Sequence, residues 1–95
     1  AFGPTGPMSK KPGYDPLMQA YSGIMSVTGE MGRAPVRVGT SIIDMGTGMW
    51  CAIGILAALQ KRAQTGEGCV VDSSLYETAM GWMTSHLTGL LATVI

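Results

Sequence analysis

The feature that most constrains this chain is a long apolar run between Met45 and Leu59, which has no polar side to turn toward water. A helix that is apolar all round is expected to be buried on every face. We predict a helix over residues 45–64, ended by glycine beyond its last turn. The following glycines interrupt it: Gly46, Gly48 and Gly54. Because each lowers helix stability relative to alanine, they indicate close approach of another backbone or a ligand.

The other elements are shorter and indicate an α/β, helix-rich fold with about three helices and one or two short strands. Asp15 and Pro16 form a helix start, with the aspartate as N-cap. Ser74 and Glu77 form a capping box for the last helix. We treat 1–95 as a single partial domain. Its expected order is loop 1–15, helix 16–28, extended link 29–44, helix 45–64, strand 69–73 and helix 75–92.

Two helices show apolar residues at helical spacing. The predicted apolar face of the first consists of Leu17, Met18, Tyr21, Ile24, Met25 and Thr28. That of the last consists of Ala79, Met80, Met83, Leu87, Leu90, Leu91 and Val94.

Composition narrows the function classes. The chain is 46% apolar and only 13% charged, with zero net charge. This balance predicts a piece of a larger protein, or a chain that completes its core by pairing.

The basic residues come as separated pairs, so no nucleic-acid partner is expected. Two cysteines and one histidine make a metal site improbable. We expect Cys51 and Cys69 to be buried thiols in a reducing compartment, and the protein to be cytoplasmic. Met49–Leu59 is too short to span a bilayer, and polar residues interrupt the longer run Ala79–Ile95. We therefore expect no membrane partner, with a membrane segment as the less favoured alternative.

Asp44, which precedes the apolar helix, has two compatible interpretations. Asp is a preferred N-cap residue, and position alone favours that role. An acid at a helix N-terminus is also stabilised in its charged form, and glycines beyond it leave its approach open. A fixed, ionised carboxylate of this kind is suited to covalent catalysis on an acyl group.

The remaining polar candidates are weaker. Tyr14 lies in a Pro-Gly-Tyr-Asp turn, where a tyrosine is usually a packing residue but can contact a ligand. Lys10 and Lys11 just before it are solvated charges or phosphate contacts. Arg33 and Arg37 carry the same ambiguity. We take the single histidine to be structural.

Several motifs follow one another along the chain: FGPTGP, PGYDPLMQAYSGIMSVTGE, PVRVG, DMGTGM, AIGILAAL and RAQTGEGCVVDSSLYE. In this order they resemble the middle of family III CoA-transferases, a group that also contains the α-methylacyl-CoA racemases. The resemblance covers roughly residues 1–85 and implies part of the large domain of such an enzyme. It implies acyl-CoA and a carboxylate acceptor as substrates, no permanently bound cofactor, no metal, and a homodimer or other homo-oligomer.

The resemblance also assigns roles. The aspartate opening the glycine turn is the family's nucleophile and matches Asp44. It forms an aspartyl-acyl anhydride and then an aspartyl-CoA thioester. The segment that lines the CoA site matches Pro12, Gly13, Tyr14 and Asp15, with Lys11 beside it. The racemase branch has a catalytic histidine where this chain has Tyr14, and tyrosine is a poor base near neutral pH.

Three functions therefore stand as alternatives. The first is a segment of an acyl-CoA:carboxylate CoA-transferase that acts through Asp44. The second is an inactive, truncated remnant that acts as an oligomerising helical module. The third is the racemase branch.

Overall fold

The structure is a computed structural model, and residues 1–93 are described. Its elements in chain order are α1 (Asp15–Ser22), a 3₁₀ turn (Ile24–Val27), α2 (Ile42–Thr65), α3 (Leu75–Trp82) and α4 (Thr84–Thr93). α3 packs against both α1 and α2, α1 also contacts α2, and α4 touches α3. The helical content confirms a helix-rich fragment, but the expected short strands are absent from the described residues.

α1 begins one residue earlier than predicted, and its buried face is different. Tyr14 is the N-cap, without a side-chain hydrogen bond, and Asp15 is the first helical residue. The prediction of Asp15 as the N-cap of this helix is therefore wrong. The buried residues are Asp15, Met18, Gln19 and Ser22. Leu17 and Tyr21, which the apolar pattern placed inside, are half exposed. Three of these four buried residues are polar, which a search for apolar periodicity cannot detect.

Gly23 divides the predicted first helix in two. Its φ of 95° lies in the left-handed region that glycine adopts readily, and its N–H donates to the carbonyl of Ala20. The chain continues as the 3₁₀ turn, where only Ile24 is buried. The helix stop is therefore at Gly23 rather than at Gly29.

α2 starts at Ile42, so Asp44 lies inside its first turn rather than before it. The prediction of burial on all sides is wrong for the described chain, because only Ile43 and Gly46 are buried in this helix. The radius of gyration is 16.1 Å, whereas a compact chain of this length would have roughly 12 Å. The helix is exposed because the described residues contain too little chain to surround it.

At 24 residues, α2 is also long and apolar enough to cross a membrane by length and composition alone. The expectation that the apolar run is too short considered only Met49–Leu59. A core helix of a larger protein passes the same test, so the finding carries little weight by itself.

Residues 69–73, predicted as a strand, run irregularly beside α2. A Cβ built on Gly54 would lie 2.7 Å from Cγ1 of Val71. The close approach that this glycine indicated is therefore made by a valine side chain. Val70 is 84% exposed, and within residues 1–93 no second strand is present to satisfy the backbone of this segment.

The last predicted helix is interrupted at Met83, which ends α3 and precedes α4. The Ser74 half of the predicted capping box is confirmed, because Oγ of Ser74 accepts a hydrogen bond from the N–H of Glu77 at 3.1 Å. Ala79 and Met83 are buried as predicted, but Leu90 and Leu91 are exposed. Val94, also predicted on this face, lies outside the described residues.

The core is small. Its buried apolar residues are Met18, Ile24, Ile43, Ala79 and Met83. The first residues, expected as a loop, are irregular but docked onto this core. Phe2 lies 5.2 Å from Tyr21 and 5.5 Å from Tyr76 between ring centroids, and the N–H of Tyr76 donates to the carbonyl of Ala1. Aromatic pairs at such distances stabilise folds by about 0.5–1.5 kcal/mol each.

Gly46 and Gly48 differ in what a side chain would meet, which gives a matched test. A Cβ on Gly46 would lie 2.8 Å from Cζ2 of Trp82, whereas nothing lies within 4 Å of one on Gly48. We expect Gly48→Ala to raise the free energy of unfolding by about 0.5–1 kcal/mol through helix propensity. Gly46→Ala should leave the free energy of unfolding unchanged or lower it, because the indole of Trp82 must move to make room for the new methyl group. Urea denaturation measures both, and equal stabilisation would contradict the close packing.

Candidate active site at the start of the second helix

Asp44 occupies the first turn of α2 with an exposed side chain. Within residues 1–93 its carboxylate accepts no hydrogen bond from a protein group. The N-cap is Ser41, which makes no side-chain capping bond either. The interpretation of Asp44 as a plain cap is therefore wrong, and its carboxylate is accessible to a reactant at the positive end of a long helix dipole.

The cap of α2 comes from another helix. Oδ2 of Asp15 accepts hydrogen bonds from the N–H of Ile43 at 2.7 Å and from the N–H of Asp44 at 2.9 Å. Asp15 is only 2% exposed. Hydrogen bonds to a charged acceptor are about twice as strong as neutral ones, so α1 holds the start of α2 firmly. The Asp-Pro sequence does mark a cap, but for a helix that begins far along the chain.

Gln19 extends this polar cluster. Its Nε2 donates to Oδ1 of Asp15 at 2.6 Å, and its Oε1 accepts from the N–H of Val38 at 2.7 Å. The amide thus ties the link before α2 to the carboxylate that caps α2. Sequence reasoning missed Gln19, although its position four residues after Asp15 places both on one helix face.

On the far side of this turn, Thr47 contacts α3. Its hydroxyl lies 2.7 Å from the carbonyl of Ile43 and 2.8 Å from the hydroxyl of Thr78. Gly46 packs beneath Trp82 beside it. The start of α2 is therefore fixed from α1 and from α3. The open space predicted at both glycines is present at Gly48 but not at Gly46.

The predicted CoA-contact residues divide into two groups. Pro12, Gly13 and Tyr14 line an apolar pocket of about 480 Å³ together with Pro16 and Leu17. Such a volume lies within the range of small-molecule sites. Tyr14 is 87% exposed, so its interpretation as a packing residue is wrong.

Two other predicted contacts do not line this pocket. Lys11 is exposed beside it. Asp15 is buried, and its oxygens are occupied by Gln19 and the start of α2. Asp15 follows Tyr14 in the chain and accepts a hydrogen bond from the N–H of Asp44, so it links the pocket-lining segment to the helix start that carries Asp44.

The weaker candidates lie elsewhere. Arg33 forms an exposed ion pair with Glu30 at 3.3 Å, an arrangement that adds little stability. His86 is exposed on α4. Cys51 is half-buried and Cys69 is exposed, which corrects the expectation that both are buried. In the described part of the chain no group of three or more metal-ligating side chains is present.

An exposed acid in the first turn of a long helix is suited to acyl transfer through a carboxylate. Comparison with known proteins gives the family. The model of CoA-transferase family III matches residues 1–94. This chain therefore belongs to CoA-transferase family III, an enzyme family.

The curated relatives are acyl-CoA:carboxylate CoA-transferases. The chain is 39% identical over 83 residues to the succinyl-CoA:glutarate CoA-transferase of Mus musculus, covering 87% of this chain and 19% of that protein. It is 40% identical over 87 residues to the acetyl-CoA:oxalate CoA-transferase of Acetobacter aceti, covering 90% and 22%. The chain thus spans about a fifth of the length of these relatives.

Solved structures agree. A CaiB/BaiF family protein from Brucella suis superposes with a TM-score of 0.94 at 38% identity, over 98% of this chain and 25% of that one. A protein from Mycobacterium tuberculosis gives 0.85 at 28% identity, over 96% and 26%. The arrangement of the described helices is therefore that of a segment of this family.

Proposed function

We propose that this chain is the nucleophile-bearing segment of an acyl-CoA:carboxylate CoA-transferase, with Asp44 as the nucleophile. The observation that carries the proposal is the exposed Asp44 carboxylate on a helix start that Asp15 caps in its place. Relatives that act on acyl-CoA and carboxylates support the substrate classes. We propose a homodimer or other homo-oligomer in the cytoplasm as its working form.

The chemistry proceeds in balanced steps. An Asp44 oxygen attacks the thioester carbonyl, the C–S bond breaks, and CoA thiolate leaves an aspartyl-acyl anhydride. The thiolate attacks the aspartyl carbonyl, which releases the donor carboxylate and forms an aspartyl-CoA thioester. The acceptor carboxylate attacks that thioester, and the thiolate then attacks the acceptor's carbonyl in the new anhydride. Acceptor-CoA leaves and Asp44 is regenerated, so one difficult exchange becomes a series of easier covalent steps.

Hydroxylamine trapping tests this proposal. The complete polypeptide that contains these residues is incubated with succinyl-CoA or acetyl-CoA and hydroxylamine, and its peptides are analysed by mass spectrometry. Attack on either covalent intermediate at the aspartyl carbonyl leaves a hydroxamate on Asp44. Glu67, an exposed carboxylate beyond α2, is the internal control. A protein that turns over acyl-CoA without modification at Asp44 would refute the mechanism.

Tyr14 is proposed to contact the CoA moiety with its ring. An exposed aromatic ring at a pocket edge can stack on a nucleobase, which is worth about 1–3 kcal/mol. We expect Tyr14→Ala to raise KM for acyl-CoA about 10-fold or more, with thermal stability unchanged because the side chain is exposed. Tyr14→Phe is the matched control and should keep KM near the unmodified value. A KM raised equally by both changes would assign the contact to the hydroxyl.

One observation favours the second candidate, the oligomerising remnant. α2 exposes large apolar side chains such as Met49, Ile53 and Leu56, each more than half exposed. Calorimetric titration with CoA, combined with measurement of the oligomer mass, separates the two functions. An assembly of the chain that ignores CoA would favour the remnant.

A further inference from the structure

We infer that Asp15 is a positioning residue for the reaction at Asp44, rather than a contact to CoA. The inference rests on the proposed function, since it concerns the same nucleophile. It starts from the burial of Asp15, which is 2% exposed although aspartate usually lies at protein surfaces. Its partners are N–H groups of Gln19, Ile43 and Asp44.

These hydrogen bonds act on the residue that reacts. The N–H of Asp44 is one of the helix-start donors that intrahelical hydrogen bonds leave unpaired. Asp15 satisfies it, so the backbone of Asp44 is anchored while its carboxylate is exposed. The position of Asp44 is therefore set by a side chain on α1 and not by Ser41, which makes no capping bond.

Gln19 fixes the orientation of the Asp15 carboxylate. Its Nε2 donates to Asp15 while its Oε1 accepts from the N–H of Val38, so the amide is held at both ends. Among residues 1–93, no buried side-chain nitrogen or oxygen lacks a partner. Each buried polar side chain of the cluster therefore has a hydrogen-bond partner. A fully satisfied buried network of this kind holds its side chains in one arrangement.

This pattern gives a sharp test through Asp15→Asn. The amide oxygen still accepts from Ile43 and Asp44, but the new N–H₂ group faces Nε2 of Gln19, and two donors oppose each other. If Gln19 turns its amide over, Nε2 opposes the N–H of Val38 instead. Either orientation of the Gln19 amide therefore leaves two donors facing each other. The start of α2 is then no longer held in one position.

The double variant Asp15→Asn/Gln19→Glu restores the match. The carboxylate at position 19 accepts from the new amide and from the N–H of Val38, while the amide oxygen accepts from the start of α2. Charge and size are nearly conserved. The exchange moves the negative charge from one residue to the other and keeps every hydrogen bond of the cluster.

Kinetics of the complete polypeptide, with succinyl-CoA as donor, measure both variants. We expect Asp15→Asn to lower kcat about 10- to 100-fold, as misplacement of a reacting group does, with KM for succinyl-CoA unchanged. The double variant should recover kcat to within about 3-fold of the unmodified protein, and Glu67→Gln, far from the cluster, should leave both constants unchanged. Circular dichroism and thermal melting verify folding.

Several outcomes would overturn the inference. A raised KM with unchanged kcat in Asp15→Asn would make Asp15 a CoA contact. A folded double variant no faster than the single one would exclude positioning through this hydrogen-bond pattern. If the single variant does not fold, the double variant decides alone, and its own failure to fold counts against the inference. Asp44→Ala separates the two proposals, because full activity in that variant refutes the proposed function itself.

Discussion

Replacing Asp44 with alanine is expected to lower kcat of CoA transfer by at least about 10⁴-fold in the complete polypeptide, as loss of a covalent nucleophile does. The reason is structural as well as chemical. Two carboxylates lie at the start of α2 in the described residues. That of Asp44 is exposed, whereas that of Asp15 is buried and hydrogen-bonded to the helix backbone. Steady-state transfer from succinyl-CoA to glutarate, followed by chromatography of both CoA esters, measures the change.

The same variant should fold normally. Because Asp15 caps α2, Asp44→Ala removes only a favourable interaction with the helix dipole, worth less than about 1 kcal/mol. Glu67→Ala is the matched control for loss of an exposed carboxylate. A fall in unfolding free energy of about 2 kcal/mol for Asp44→Ala would show that Asp44 is a cap after all. Retained transfer activity would remove it from the mechanism.

The largest expected effect on stability is that of Ile43→Ala. Ile43 is fully buried, one of five buried apolar residues in the described chain. Deleting most of its side chain leaves a cavity between α1, α2 and α3 and should lower the free energy of unfolding by about 2–5 kcal/mol. Such a loss is large against the total stability of a small domain. Urea denaturation of the 95-residue chain, followed by circular dichroism, measures it.

Met45→Ala is the matched control, because Met45 lies two residues further along the same helix and is 64% exposed. It should change the free energy of unfolding by less than about 0.5 kcal/mol. Similar effects of the two substitutions would indicate that the start of α2 is not packed as described.

The role of Asp15 could not be predicted from the sequence alone. The pair Asp15–Pro16 correctly marked the start of a helix, but the prediction that Asp15 caps this helix is wrong. Local pattern rules assign a cap to the helix that follows it, because they see only neighbours in sequence. The carboxylate instead caps α2, whose second and third residues, Ile43 and Asp44, lie 28 and 29 positions further along the chain. Only the packing of α1 against α2 could reveal this.

Residues 69–73 show a second reason why local sequence patterns do not fix the structure. The β-branched residues of this segment have a local preference for a strand, but the prediction of a strand here is wrong. A strand also needs a neighbour to satisfy its backbone, and none is present among residues 1–93. Val71 packs against Gly54 instead. The strand propensity of this segment is therefore not realised, because the described residues contain no strand with which it could pair.

The apolar run of α2, by contrast, was read directly from the sequence as a long helix, because composition and periodicity act over neighbouring residues. The motif series likewise identified the family and marked Asp44. The tertiary structure alone decided that Asp44 is exposed and not a cap, that Asp15 and Gln19 hold it, and that most of α2 is uncovered. These outcomes depend on contacts between distant residues, whose geometry no local pattern contains.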